Sequence, residues 1–396
     1  MRTNRRWFVA GPILLILPLI FAVYATGDGD GDHEAELSGT ISSTLTIFDN
    51  TRLVGDVTCA VPLVLSGANP CIAFGFDHIK LKLNGHTITG PVDPPTGCSV
   101  PGDSMFGVGI EASGRTDVKI EGPGVIQKFE RWGIFLSSST DVTVRNVTAN
   151  RNCWSGMQTI STSDSHFEEN RWINNAAGSN GAACGGICMF NSNRNVIHKS
   201  TFYGNGSLDT GGNVDFGVGL EASAGNTSNE NRIEDNDIGG NTNGVLLLAT
   251  TSNTISGNIV RRNIIAGNPA AQVIKTFTAT NQTGADIHDL HSSAGANTFA
   301  DNFCLTYIGA GTAPCPNIKT EGVEEAANRL GRPRKDSKGP MASLLANPYA
   351  TANRQRDIAL ASLALLPLAF VVTLLKISSS RSRKRSSSPM LTKNLS

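Results

Sequence analysis

Carboxylates, aromatic rings and thiols are the groups with which this chain would bind or cut another molecule, and two of its carboxylates recur in nearly the same surroundings. Glu111 lies in "FGVGIEAS" and Glu221 in "FGVGLEAS", 110 residues further on. Two carboxyls flanking a glycosidic bond are the machinery of sugar hydrolysis, provided that they stand within about 10 Å of each other. Three aspartates form a second set. Asp117 ("DVKI"), Asp141 ("DVTV") and Asp164 ("DSHF") each precede an apolar strand position by three residues. Aspartate at such a corner caps the turn with its own side chain. Three carboxylates stacked on one another would also suit Ca²⁺, a hard cation that takes oxygen ligands. "DIHDLH" (286–291) gathers two Asp and two His. A single strand alternates its side chains and cannot aim all four one way, so a surface loop is expected there rather than a metal site.

The elements that position these groups are repeats. Glycines at 107, 133, 156, 186, 217 and 244 open the stretches "GVGI", "GIFL", "GMQT", "GICM", "GVGL" and "GVLL", in steps of 26, 23, 30, 31 and 27 residues. Each reads apolar, variable, apolar, the alternation of a short strand with one buried face. A second pattern follows in "NVIHKSTFYGN" (195–205), "NRIEDNDIGGN" (231–241) and "NTISGNIVRRN" (253–263), where Asn brackets short apolar pairs. Asn and Gly tolerate left-handed backbone and punctuate turns. A unit of this length with no helical stripe cannot bury its own apolar face, so neighbouring units must stack. The expected fold is all-β: a right-handed parallel β-helix.

With this grammar the chain resembles the right-handed parallel β-helix repeat proteins of the pectate-lyase-like superfamily. "HIKLKLNGHTITG" (78–90) resembles the opening coil of their bacterial members. The resemblance covers about residues 49–318 and implies fold more than function, because one solenoid carries lyases, hydrolases, epimerases and adhesins. The active-site blocks of polygalacturonase-like members are absent, and "NRIED" has Glu234 where Lys would be needed. Enzymes of this superfamily usually work on the outer face of one sheet. Counting from each glycine, Glu111, Phe135, Phe190 and Glu221 fall on outward positions. Phe135 and Phe190 would serve as stacking platforms for sugar rings, and the two glutamates as partners for hydroxyls. The glutamates themselves, four coils apart at about 4.8 Å per coil, would be separated by about 19 Å. They are not a catalytic pair.

Charge is partitioned along the chain. Residues 1–6 carry a charge of +3, residues 7–318 carry −12 and residues 319–396 carry +9, which sum to the net charge of zero. An acidic repeat domain repels nucleic acid. Residues 1–25 read as a signal peptide or uncleaved anchor and residues 26–48 as an acidic, Gly-rich lead-in. The solenoid is expected over 49–318, a stalk over 319–357, a transmembrane helix over 358–377 and a basic cytoplasmic tail over 378–396. All eight cysteines lie between positions 59 and 315, in the segment expected outside the cytoplasm, where an even count argues for disulfides. Cys153 and Cys184 fall near one corner of adjacent coils and are expected to pair. Cys59 with Cys71, and Cys304 with Cys315, would close local loops at the two ends. Two function classes follow: a membrane-anchored surface protein that binds or processes polysaccharide, by a lyase or hydrolase reaction if it is an enzyme, or a non-catalytic structural or adhesive stalk. Protease added to intact cells is expected to remove the repeat domain and spare an epitope in the tail; loss of the tail epitope would overturn this topology.

Overall fold

Parallel strands wind through the chain from Ala35 to Gly309 and build two sheets, of 16 and 10 strands. The computed structural model describes residues 34–61, 69–92, 107–176, 185–206, 216–223, 225–251, 254–266, 268, 285–290, 293–309 and 314–315. The expected signal or anchor, stalk, transmembrane helix and tail lie outside these residues, and among the described residues no helix is long and apolar enough to cross a membrane. The larger sheet is two faces joined at a corner. Thr143–Asn150 is one long strand that pairs at its start with His166–Glu168 and at its end with Arg171–Ile173. From there each turn of chain has three sides: two short strands of the larger sheet, then one strand of the ten-stranded sheet.

The interior is built of columns, because parallel pairing in register puts each side chain over its counterpart in the next coil. Ile134, Met157, Ile187, Val218 and Val245 form one such column, Phe167, Ile197, Ile233 and Val260 a second, and Trp172, Phe202, Ile238 and Ile265 a third. Every one of these side chains is fully buried. The repeated glycine marks where the strand of the ten-stranded sheet leaves a corner. A Cβ on Gly156 would stand 2.7 Å from Trp172 and 2.9 Å from the Gly186 carbonyl oxygen, so only glycine fits. Two disulfides clip the ends, Cys59–Cys71 (Cα–Cα 5.7 Å) and Cys304–Cys315 (4.9 Å). Cys153 is also in a disulfide. Its expected partner Cys184 lies outside the described residues.

The corners carry the buried polar groups. Asn152, Asn175, Asn205, Asn241 and Asn268 stack in one ladder, each Nδ2 donating to the Oδ1 of the next at 2.9–3.2 Å, and each Oδ1 also accepting the preceding residue's backbone N–H. The ladder ends on Asp286, whose Oδ1 accepts from Asn268 N and Nδ2 while Oδ2 accepts from the backbone of Leu305 and Thr306. Burial pushes this carboxyl up, against the pull of the N–H groups aimed at it. Asn195, Asn231, Asn258 and Asn297 make a second ladder, and Asn236, Asn263 and Asn302 a third. The repeat is therefore Asn-x₄-Asn-x₄-Asn, one residue per corner.

Several expectations need correction. The third polar unit begins at Asn258, not Asn253, because Asn258 is the residue that bonds Asn231. Coiling begins at Ala35, inside the expected lead-in, since Ala35–Ile41 pairs with Thr51–Cys59. That strand's outward, polar residues hid it. "HIKLKLNGHTITG" supplies the strands Lys80–Lys82 and Thr87–Thr89 of a later turn, which pair with Thr51–Cys59 before them, so it does not open the solenoid.

The outer surface of the larger sheet holds a pattern that variable coil length concealed. Lys82, Glu121, Arg145, Glu168, His198, Glu234 and Arg261 stand in one column in strict alternation of acid and base. One residue on, in left-handed corner positions, Glu169, Lys199, Asp235, Arg262 and Asp301 repeat the signs. Four successive coils thus bear doublets, Glu168–Glu169, His198–Lys199, Glu234–Asp235 and Arg261–Arg262, acidic and basic in turn. Glu234 is held by Arg232 (2.7 Å), Arg261 (2.9 Å) and Arg262 (3.5 Å).

Replacing Asn205 by Ala would orphan buried donors on Asn175 and the Trp172 carbonyl. A loss of about 3 kcal/mol in urea unfolding is expected; a loss below about 1 kcal/mol would show that the ladder is dispensable.

Candidate functional site

The outer face of the ten-stranded sheet carries the residues singled out for sugar contact, and pairing register decides which of them meet. Val108 pairs with Trp132 and Ile110 with Ile134, so Gly109, not Gly107, is the counterpart of Gly133. The first repeat was framed two residues early. Its glycine at 109 therefore faces Phe129 and Ile126 rather than the outside. The slip separates the two near-identical octapeptides. Glu111 belongs to a column with Phe135, Gln158, Cys188, Gly219 and Leu246, whereas Glu221 stands two residues along its strand, with Ser113, Ser137, Ile160, Phe190 and Leu248. "FGVG-x-EAS" does not answer to one coil position.

Two glutamate–phenylalanine pairs result. Glu111 is the direct neighbour of Phe135, and Phe190 of Glu221. The columns differ in access. In the first, Phe135 is 9% exposed, Gln158 7% and Cys188 1%. In the second, Ile160, Phe190, Glu221 and Leu248 are all partly exposed. Phe135 stacks on Trp132 (centroids 4.4 Å apart), Trp132 meets Trp154 edge to face (6.1 Å), and the Arg131 guanidinium lies over the Trp154 ring at 4.0 Å. Sequence reasoning passed over these two tryptophans, although Trp132 stands directly before its glycine in "WGIF". Phe216 lies across Gly219 and fills the space that a larger residue would take.

Around Glu221 the lining is apolar. Cys188, Phe216 and Leu246 form a buried cluster with Leu248 packed against it. The Cys188 thiol donates to Glu221 Oε1 at 3.5 Å. Burial pushes the Glu221 carboxyl above the ordinary carboxylate range, with that thiol pulling the other way. Its rim is polar: Asn191 Oδ1 accepts from the Ser223 backbone (3.1 Å), and Asn226 Nδ2 donates to Ser223 Oγ (3.1 Å). Such a strip offers a flat ring, an acid group and amides along one edge of a rigid sheet.

A family profile described as the right-handed beta helix region matches residues 107–312, more than half of the chain. The chain belongs to that family. No curated protein matches this β-helix chain. Among solved structures it is similar to the Dettilon tailspike protein, at 17% identity and a TM-score of 0.44, over 67% of this chain and 54% of that one. It is also similar to the A-module of the Azotobacter vinelandii mannuronan C-5 epimerase AlgE4, at 12% identity and a TM-score of 0.40, over 73% and 89% of the two chains. The tailspike of E. coli bacteriophage HK620, solved with a pentasaccharide, matches at 14% identity and a TM-score of 0.38, over 69% and 48%. The chain spans about half the length of these two tailspikes.

The three aspartates do stack at one corner of this β-helix. Asp117, Asp141 and Asp164 share a left-handed backbone (φ 51°, 55° and 56°), and each N–H bonds a carbonyl of the next coil. Arg194 and Glu230 continue the column. Arg194 grips Asp164 through two hydrogen bonds of 2.7 Å and holds its carboxyl below the ordinary range. A His78 hydrogen bond and Lys119 do the same for Asp117. Asp141 has no ion-pair partner among the described residues, and among them no three His, Cys, Asp or Glu side chains converge as metal ligands. "DIHDLH" is not a surface loop as far as it is described. Ile287–Leu290 is a strand of the ten-stranded sheet, and Asp286, His288 and Asp289 are 1%, 5% and 6% exposed. Burial lowers the His288 imidazole, keeping it neutral.

A carboxyl raised by folding contributes stability that is present below its unfolded pKa and lost as pH rises through the folded value. The melting temperature of the protein is therefore expected to fall between about pH 4 and about pH 9 by more than that of a Glu221→Gln variant. Parallel profiles would remove Glu221 as the cause.

Proposed function

We propose that this β-helix is the exported, membrane-anchored part of a surface protein that binds polysaccharide along the outer face of its ten-stranded sheet. The observation that carries the proposal is the pairing of Glu111 with Phe135 and of Phe190 with Glu221 in adjacent columns of one face. A phenyl ring takes the C–H face of a sugar, and a carboxyl beside it takes hydroxyls. Binding fits better than hydrolysis. Glu111 and Glu221 stand four coils apart, about 19 Å, well outside the reach of a carboxyl pair acting on one bond. Export is supported by the disulfides at both ends of the solenoid. The anchor rests on the apolar run at 358–375 followed by the basic tail.

Ca²⁺ at the aspartate corner is an accessory proposal centred on Asp141, and it would have to compete with Arg194 for Asp164. A stalk without a ligand is the second possibility, and the burial of Phe135, Gln158 and Cys188 favours it. A glycan array probed with the detergent-solubilised full chain separates the two. Retention of a polysaccharide that Phe190→Ala weakens roughly tenfold, equivalent to about 1.4 kcal/mol, is expected. No retention would favour the stalk, and retention indifferent to Phe190 would exclude the Phe190–Glu221 column as the binding strip.

A further inference from the structure

We propose that Glu221 holds an uncharged glycan as a proton donor, its carboxyl O–H bonding a sugar oxygen, so that alkali releases the glycan. The proposal rests on the polysaccharide-binding assignment above and adds the chemical form and the regulation of the site. It starts from placement. In its column Glu221 stands between Phe190 on the preceding coil and Leu248 on the following one. The strand that bears it is fixed behind the side chain: the Glu221 carbonyl accepts from Asn191 N at 2.9 Å and from Ser228 Oγ at 2.6 Å. The carboxyl therefore sits on a held backbone between two apolar side chains, partly exposed where a ligand would reach it.

The charged and titratable groups on the described elements around it leave the carboxyl uncompensated. On the preceding strand, Gly185–Phe190, the titratable group is the Cys188 thiol, 3.5 Å away. The following strand, Asn243–Ala249, has none, and Phe216–Ala222 has only Glu221 itself. At the adjoining corner Arg194 is bound to Asp164 through Nε and Nη2, and Glu230 follows Arg194 in the left-handed column. Ionising Glu221 would place a negative charge against Phe190 and Leu248 in an already acidic domain. The neutral acid has a donor and an acceptor to offer, while the ionised form has only acceptors. A sugar hydroxyl or ring oxygen over Phe190 matches the neutral acid, with Asn191, Ser223 and Asn226 at the rim for further hydroxyls. An anionic glycan is disfavoured by the charge of −12 on residues 7–318.

The test uses the detergent-solubilised full chain and a panel of neutral malto-, cello-, manno- and galacto-oligosaccharides, titrated by calorimetry at about pH 5, 7 and 9. Wild type is expected to lose at least about tenfold in affinity across that range, whereas Glu221→Gln, which keeps a donor and cannot ionise, stays within about twofold. Binding that is equally pH-dependent in both proteins, or pH-independent in wild type, overturns the proposal and leaves polysaccharide binding standing. Retention of no oligosaccharide at any pH overturns the binding assignment and this proposal with it. Carboxyl-labelled glutamate in wild type, followed by NMR, gives a check that does not depend on the variant folding. One resonance is expected to titrate well above the others, and its absence overturns the proposal.

Discussion

A buried amide must give away both of its hydrogens, and in this protein it does so along the axis of the solenoid. Each asparagine in a corner bonds the asparagine above it, and its oxygen receives the backbone of the coil below. That requirement ties the coils to a common register. The apolar columns, the outward strip and the charged corner all inherit their alignment from it, because a coil shifted by one residue would break three ladders at once. Dispersion and apolar burial supply most of the cohesion. They are non-directional and would tolerate a slip that the amides do not.

The ladder also needs an end. Asp286 supplies it, receiving Asn268 on one oxygen and the backbone of Leu305 and Thr306 on the other. A further asparagine would have presented an N–H where acceptors are required. An acid pair such as Asp286 and Asp289, which in sequence suggests a metal or a loop, is here part of the closing of the interior.

The solenoid was legible in the sequence because its glycines sit where a Cβ would strike the next coil, a constraint that survives changes in coil length. The outward placement of Phe135, Phe190, Glu111 and Glu221 followed from period-two alternation. Register did not follow. Coils of unequal length leave the phase between units undetermined, so the sequence repeat points to Gly107 where the structural repeat falls on Gly109. Asparagine tolerates left-handed backbone and reads in sequence as a turn residue, yet Asn195, Asn231 and Asn258 are buried and the left-handed positions directly before them hold Arg194, Glu230 and Gly257. Local preference describes one residue, whereas the ladder is a property of neighbours that lie about thirty positions apart. Trp132 and Trp154 were missed for a related reason: the cluster they form with Phe135 and Arg131 spans two coils.

The alternating charge doublets bear on how such a chain can change length. Glu168 and Glu169 lie under His198 and Lys199, which lie under Glu234 and Asp235, which lie under Arg261 and Arg262. Duplicating or deleting one coil would set like doublets face to face, whereas adding or removing two would restore every contact. The array therefore has a parity. Within these four coils the solenoid would gain or lose turns without setting like charges face to face only in even numbers.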